Sequence, residues 1–241
     1  MRINSLTLAL LSTITLSPLC AAPVSAATSS GQLQLVSDYL YRGISQTNEG
    51  PALQGQFSLQ QQDWYLTAWG SNIKFGDGSL ELDLSAGRIF LLTEDIKLDL
   101  GLMQYRYPQG DNAQTGYNFI EAYSKLSYQD WTLGLALTDN YFGTDVGKFA
   151  YLTLDWQRQL AEQVQLRWHL GYNSFAGQSD YQAFVGSPAA TVKAYTDWSV
   201  QVQTSQLGLD WSLALSGTSV SASDCIKLCD TRLVLGLSKT F

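Results

Sequence analysis

The sequence predicts an all-β protein: a twelve-stranded antiparallel transmembrane β-barrel of the outer membrane, after an N-terminal signal peptide. Three observations carry this. Apolar and polar residues alternate with a period of two along most of the chain. The connections between alternating segments are short at one end and longer at the other, as in outer-membrane barrels. The composition is aromatic but weakly charged: of 241 residues, 12% are aromatic and 15% charged, with 45% hydrophobic. Charge near 25% is usual for soluble domains. A barrel with its apolar face outward needs little charge.

Residues 1–26 read as the signal peptide. Arg2 supplies the positive start, Leu6 to Leu16 the apolar stretch, and Val24-Ser25-Ala26 the small residues for cleavage after Ala26 or Ala27. The apolar run is short for a helical membrane anchor and is broken by Ser, Thr and Pro18. Leu19 precedes Cys20 where lipid attachment requires a small residue. Residues 27–241 form one barrel domain without a linker.

The expected strands cover 33–42, 52–60, 64–74, 80–90, 96–107, 118–128, 131–141, 150–160, 164–174, 194–203, 207–216 and 231–241. In the seventh, Trp131, Leu133, Leu135 and Leu137 alternate with Thr132, Gly134, Ala136 and Thr138. Several segments have the length that crosses a bilayer when tilted, about 9–11 residues. The short connections are Gln61 to Asp63, Gln129-Asp130, Ala161 to Gln163 and Thr204 to Gln206. The long ones include Gly43 to Pro51, Pro108 to Tyr117, Phe142 to Phe149, Phe175 to Lys193 and Gly217 to Asp230. Gly76-Asp77-Gly78, Gly110-Asp111-Asn112 and Gly186-Ser187-Pro188 supply turn residues. Gly43 serves the turn into the first loop. Trp64, Trp131, Tyr141, Trp156 and Tyr172 sit near strand ends, where a headgroup-level girdle forms. The last strand alternates Leu233, Leu235 and Leu237 and ends on Phe241, which resembles the signal read by the outer-membrane assembly machinery, with Lys239 standing where an apolar residue is usual.

The run Ser37-Asp38-Tyr39-Leu40-Tyr41-Arg42-Gly43-Ile44-Ser45-Gln46, followed by Pro51-Ala52-Leu53-Gln54-Gly55, resembles the opening of the TorF-type porin family of proteobacteria. Trp69-Gly70-Ser71-Asn72 and Ser238-Lys239-Thr240-Phe241 resemble it as well. The resemblance spans residues 27–241. It implies an outer-membrane, porin-like protein in a Gram-negative cell. It brings no catalytic residues and no settled solute.

The strand phase assigns the pore lining. Inward acids are Asp38, Glu81, Asp83, Asp99, Glu121, Asp155, Asp197 and Asp210. Inward bases are Arg42, Lys97, Lys125, Arg167, Lys193 and Arg232. Asp38 and Arg42, four apart in the first strand, share one face. This mixed, slightly acidic lining predicts weak cation preference or none. The expected function is passive diffusion of small hydrophilic solutes. The rival is a closed structural or adhesive barrel acting through its extracellular loops, its lumen filled by paired charges and side chains.

An enzyme is not expected. His169, the single histidine, points inward and invites comparison with a serine hydrolase, whose nucleophile needs a base. A lining role fits a lone histidine better. Cys225 and Cys229 suit a structural disulfide in the last long loop. No cofactor or metal is expected. A net charge of −7 and the lack of a basic cluster argue against nucleic acid. The partners expected are outer-membrane lipid, the assembly machinery and small hydrophilic solutes. Phe175 to Lys193 could fold inward or outward, anchored by Tyr181, Phe184 and Val185.

Overall fold

The computed structural model describes residues 26–75, 78–108, 117–143, 146–225 and 227–241. The expected leader falls outside these residues except for residue 26, as do the turn positions 76–77 and 110–112.

The strands are β1 Thr28–Val36, β2 Leu40–Tyr41, β3 Ile44–Ser45, β4 Ala52–Gln61, β5 Trp64–Phe75, β6 Gly78–Leu91 and β7 Ile96–Arg106. They continue with β8 Phe119–Tyr128, β9 Trp131–Thr138, β10 Phe149–Ala161, β11 Val164–Phe175, β12 Ala194–Gln206, β13 Leu209–Thr218 and β14 Arg232–Thr240. A helix, α1, spans Gln178–Val185. All strands except β2 and β3 form one closed antiparallel barrel in chain order. Closure runs from Gln32 opposite Thr240 to Val36 opposite Gly236. The sheet closes on itself, the arrangement that hydrocarbon requires of a spanning sheet.

The alternation works as predicted. Leu84, Leu102, Leu133, Leu137, Leu213 and Leu235 stand exposed on the outer face, while their neighbours Asp83, Ser85 and Thr138 are buried. Trp64, Tyr128, Trp131 and Trp211 are exposed near the short turns. Trp131 packs 6.4 Å from Trp156 and 6.3 Å from Trp168. At Leu207-Gly208 both φ angles are positive, 56° and 72°, a sense that suits the strand twist.

Two expected boundaries are corrected. The first strand was expected over 33–42, but β1 ends at Val36. Asp38 and Arg42 therefore do not share a strand face. The local chemistry explains the break. The Asp38 carboxylate accepts from the Ser45 hydroxyl at 2.6 Å and lies 2.9 Å from that of Thr47, which bends the chain away from the ladder. Strand β9 ends at Thr138, before residue 141. Tyr141 does not join the girdle; it is completely buried, stacked on Phe149 at 3.9 Å.

Tyr141 belongs to an aromatic core buried in the long-loop half of the barrel. Tyr105, Tyr107, Phe119, Phe149, Phe175, Tyr181 and Tyr195 are all buried in it. Helix α1 caps this core by burying Tyr181, 5.4 Å from the Phe175 ring. The Phe175 to Lys193 connection thus packs onto the barrel. Asp180 accepts from the Gly177 N–H at 3.0 Å to start the helix, and Gly186, at φ 68°, ends it.

Candidate functional site: a hairpin across the lumen

Strands β2 and β3 form a miniature hairpin, with Leu40 opposite Ser45 and Tyr41 opposite Ile44. Its tip is Arg42-Gly43, with φ of 50° and 79°. Two positive φ values make the tight turn that matches strand twist, and glycine suits the second. The tip touches the wall at β12 and β13. A Cβ on Gly43 would collide with the Thr218 methyl and lie 2.9 Å from the Asp197 Cβ.

Asp38 is the hub of the hairpin base. Besides the two hydroxyls, it accepts from Arg232 Nη1 at 2.7 Å. Arg232 also pairs with Glu49 at 3.4 Å. The Ser45 N–H donates to Leu228 O at 2.9 Å, and the Lys74 N–H to Gln46 O at 2.7 Å. The last loop and β5 thereby hold the hairpin from both sides.

Arg42 projects into the barrel. Its Nη2 lies 2.7 and 2.8 Å from the two Glu121 carboxylate oxygens. Tyr105 donates its hydroxyl to Glu121 Oε2 at 2.9 Å. The guanidinium carbon lies 4.3 Å from the Tyr151 ring centre, 4.7 Å from Phe149, 4.8 Å from Tyr41 and 5.2 Å from Tyr141. Such contacts gain strength when desolvated. The Arg42 and Glu121 side chains are only 5% and 3% exposed.

The hairpin divides the lumen. A chamber of about 700 Å³ is lined by Tyr65, Asp83, Asp99, Tyr105, Glu121 and Lys125. A second, of about 340 Å³, is lined by Gln34, Gln54, His169, Asp197 and Ser216. Tyr39, Leu40, Arg42, Trp69 and Tyr151 line both. On the long-loop side a cavity of about 550 Å³ meets Tyr41, Ile44, Phe142, Phe184 and Leu228. Among the described residues, Tyr41 alone is shared by this outer cavity and the larger chamber.

The inner wall is shaped by close approach of tyrosines to glycines. Tyr65 stands opposite Gly87, and Tyr123 opposite Gly101. A Cβ at either glycine would strike the tyrosine ring. The two tyrosines reach each other through their hydroxyls, and Tyr65 donates to Asp99 at 2.7 Å.

His169 is held between two carboxylates. Its Nδ1 lies 2.6 Å from Asp155 and its Nε2 3.0 Å from Asp197, with the Tyr151 hydroxyl 2.9 Å from Nε2. Both ring nitrogens are thus engaged by side chains of the barrel wall. Among the described residues, no cluster of His, Cys, Asp and Glu could hold a metal.

Asp38, Arg42, Glu81, Asp83, Glu121 and Asp197 are thus buried along the hairpin and the walls facing it. Asp99, Lys125 and His169 line the chambers, and Asp155 joins them through His169. Lys97, Arg167 and Asp210 lie apart, toward the short-turn ends of β7, β11 and β13. Lys193 lies exposed just before β12 rather than on it. Cys225 and Cys229 are joined as a disulfide, with Cα atoms 5.8 Å apart. The aromatic cradle around Arg42 was not anticipated. One signal for it was present: the polar phase of β7, Lys97-Asp99-Gly101, continues to Met103 and Tyr105. That of β10 likewise brings Tyr151 inward with Asp155.

Residues 20–241 match a family described as a bacterial protein of unknown function, Gcw_chp. The chain belongs to the Gcw_chp family. The match carries this description and not the TorF label. No curated protein matches this Gcw_chp chain. Solved structures share its fold. The KdgM porin is 12% identical, with a TM-score of 0.57 over 88% of this chain and 99% of that one. The NanC porin is 9% identical, with a TM-score of 0.54 over 88% and 98%. A KdgM porin in complex with disordered oligogalacturonate is 11% identical, with a TM-score of 0.54 over 90% and 99%.

Proposed function

We propose that this Gcw_chp protein is an outer-membrane channel of the porin type for small hydrophilic solutes. Passage through it is governed by the β2–β3 hairpin. The observation that carries this reading is the hairpin itself: a polar-based, hydrogen-bonded element standing between an outer cavity and two inner chambers. The fold shared with porins and the exposed leucine face support the location. Residues 1–26 act as the export leader, and the β14 strand ending near Phe241 is offered to the assembly machinery. Asp38, Arg42, Glu81, Asp83, Asp99, Glu121, Lys125, His169 and Asp197 set the local potential along the route. The acids outnumber the bases in this set, so transport favours cations weakly.

A specific observation favours a second reading, a closed barrel acting through its loops. Among the described residues, an aromatic core is buried in the long-loop half of the barrel. Single-channel recording of the refolded protein in a planar bilayer, under a potassium chloride gradient, separates the two. The channel reading expects small conductance steps with a slight cation-favouring reversal potential. A folded barrel that never conducts, with the hairpin tip intact or disrupted, overturns it in favour of the closed barrel.

A further inference from the structure

We propose that the wall facing the hairpin is a binding site for a small organic cation bearing a guanidinium or amine group, and that Arg42 occupies it as an internal stand-in. The proposal rests on the channel reading for the route of the ligand, but the binding site stands on its own geometry.

Most of the cradle belongs to the barrel and not to the hairpin. Glu121 is on β8, Tyr105 on β7, and Phe149 and Tyr151 on β10, while Tyr141 lies in the β9–β10 connection. These groups remain when the hairpin tip withdraws. Only Tyr41 leaves with Arg42.

The chemistry of the cradle is selective. A carboxylate steadied by the Tyr105 hydroxyl supplies the counter-charge. Ring faces within 4.3–5.2 Å of the guanidinium carbon supply cation–π attraction. An anion is repelled by Glu121, and a neutral solute gains little from the rings. A planar cation with N–H donors gains from both. The cradle opens to the chamber of about 700 Å³, whose lining includes Glu121, Tyr105 and Tyr151. Pockets for small organic ligands span about 300–1,000 Å³. The tip is held in the left-handed backbone region at Arg42, a conformation costly for a non-glycine residue. An incoming cation thus competes with an occupant whose backbone is strained.

The test uses chemical replacement of the missing side chain in the full-length barrel. In Arg42→Ala, low-millimolar guanidinium chloride is expected to raise the thermal unfolding midpoint above that in equal sodium chloride. Urea, the neutral isostere, is expected to do nothing at that concentration. The wild type, with its cradle filled, is expected to show no guanidinium-specific shift. Adding Glu121→Gln to Arg42→Ala is expected to abolish the shift. In bilayers, guanidinium is expected to lower the Arg42→Ala current several-fold, and the double variant is expected to be insensitive. If Arg42→Ala does not refold, Arg42→Lys, with a smaller head group, takes its place in the same comparison. A barrel that folds without Arg42 and shows no guanidinium-specific shift overturns the proposal. So does a shift that persists without the Glu121 charge. A shift without any conductance supports the site and overturns the channel reading alone.

Discussion

Arg42 and Glu121 illustrate how little freedom a buried ion pair leaves. Both side chains are almost completely out of solvent. Removing one partner strands the other, at a typical cost of about 3–5 kcal/mol. Glu121→Gln is therefore expected to lower unfolding stability by about 3 kcal/mol, read by urea titration of the barrel in vesicles. The same change to Glu162, in the short turn after β10, is expected to fall within about 0.5 kcal/mol of wild type. Equal losses at the two positions would show that the pair contributes nothing special. Much of this site was legible as residue types. The phase of β6 and β8 assigns Glu81, Asp83 and Glu121 inward, and all three side chains are buried. Arg42 was assigned inward on the wrong grounds, because it enters from a hairpin and not from a strand. Its partner could not be read from the sequence, since a contact across the lumen has no periodic signature.

At the level of elements, the largest departure from expectation is the segment after Val36. Alternation in Tyr39-Leu40-Tyr41 looks like a continuing strand. The hydroxyls of Ser45 and Thr47 on Asp38, and the paired left-handed conformations at Arg42-Gly43, turn it inward instead. Side-chain bonds to local groups compete with a strand ladder, and hydropathy does not record them. The twelve barrel strands themselves were legible because an apolar outer face and a polar inner face impose a period of two. Gly43→Ala tests the hairpin as an element. The new methyl meets Thr218 on β13 and Asp197 on β12, at a φ of 79° that alanine disfavours. The tip is expected to move off the wall, and single-channel conductance is expected to rise several-fold. Unchanged current with a stable fold would mean that the tip does not obstruct the passage. The disulfide acts on the same element from outside, because Leu228 O, between the two cysteines, accepts from the Ser45 N–H. Replacing both cysteines with serine removes a small closed ring worth about 2 kcal/mol in the chain-entropy account. Recordings of this variant are expected to show more frequent openings together with a lower unfolding midpoint. A lower midpoint with unaltered gating would confine the disulfide to loop stability.

For the molecule as a whole, two solvents divide the side chains. Leucines that would be liabilities on a soluble protein stand exposed around the barrel, Leu102 at 56% and Leu213 at 46%. Carboxylates that would be solvated elsewhere are buried inside, Glu81 at 1% and Glu121 at 2%. An area of exposed apolar surface this extended marks a membrane or partner face. Its arrangement as the alternate residues of every wall strand argues for lipid on all sides. The inversion makes a sharp prediction about where charge is tolerated. Leu102→Arg places a guanidinium on the outer face in mid-strand, and a lipid-facing arginine near the bilayer midplane costs about 2–4 kcal/mol. Thr67→Arg puts the same group on the inner wall, where Thr67 lines the larger chamber. Water in that chamber can solvate the charge, so its cost is expected to be smaller. Urea unfolding in phospholipid vesicles should rank Leu102→Arg as clearly the more damaging of the two. If the two variants lose equal stability, lipid does not solvate the leucine face, and the apolar belt would have to be covered by protein instead.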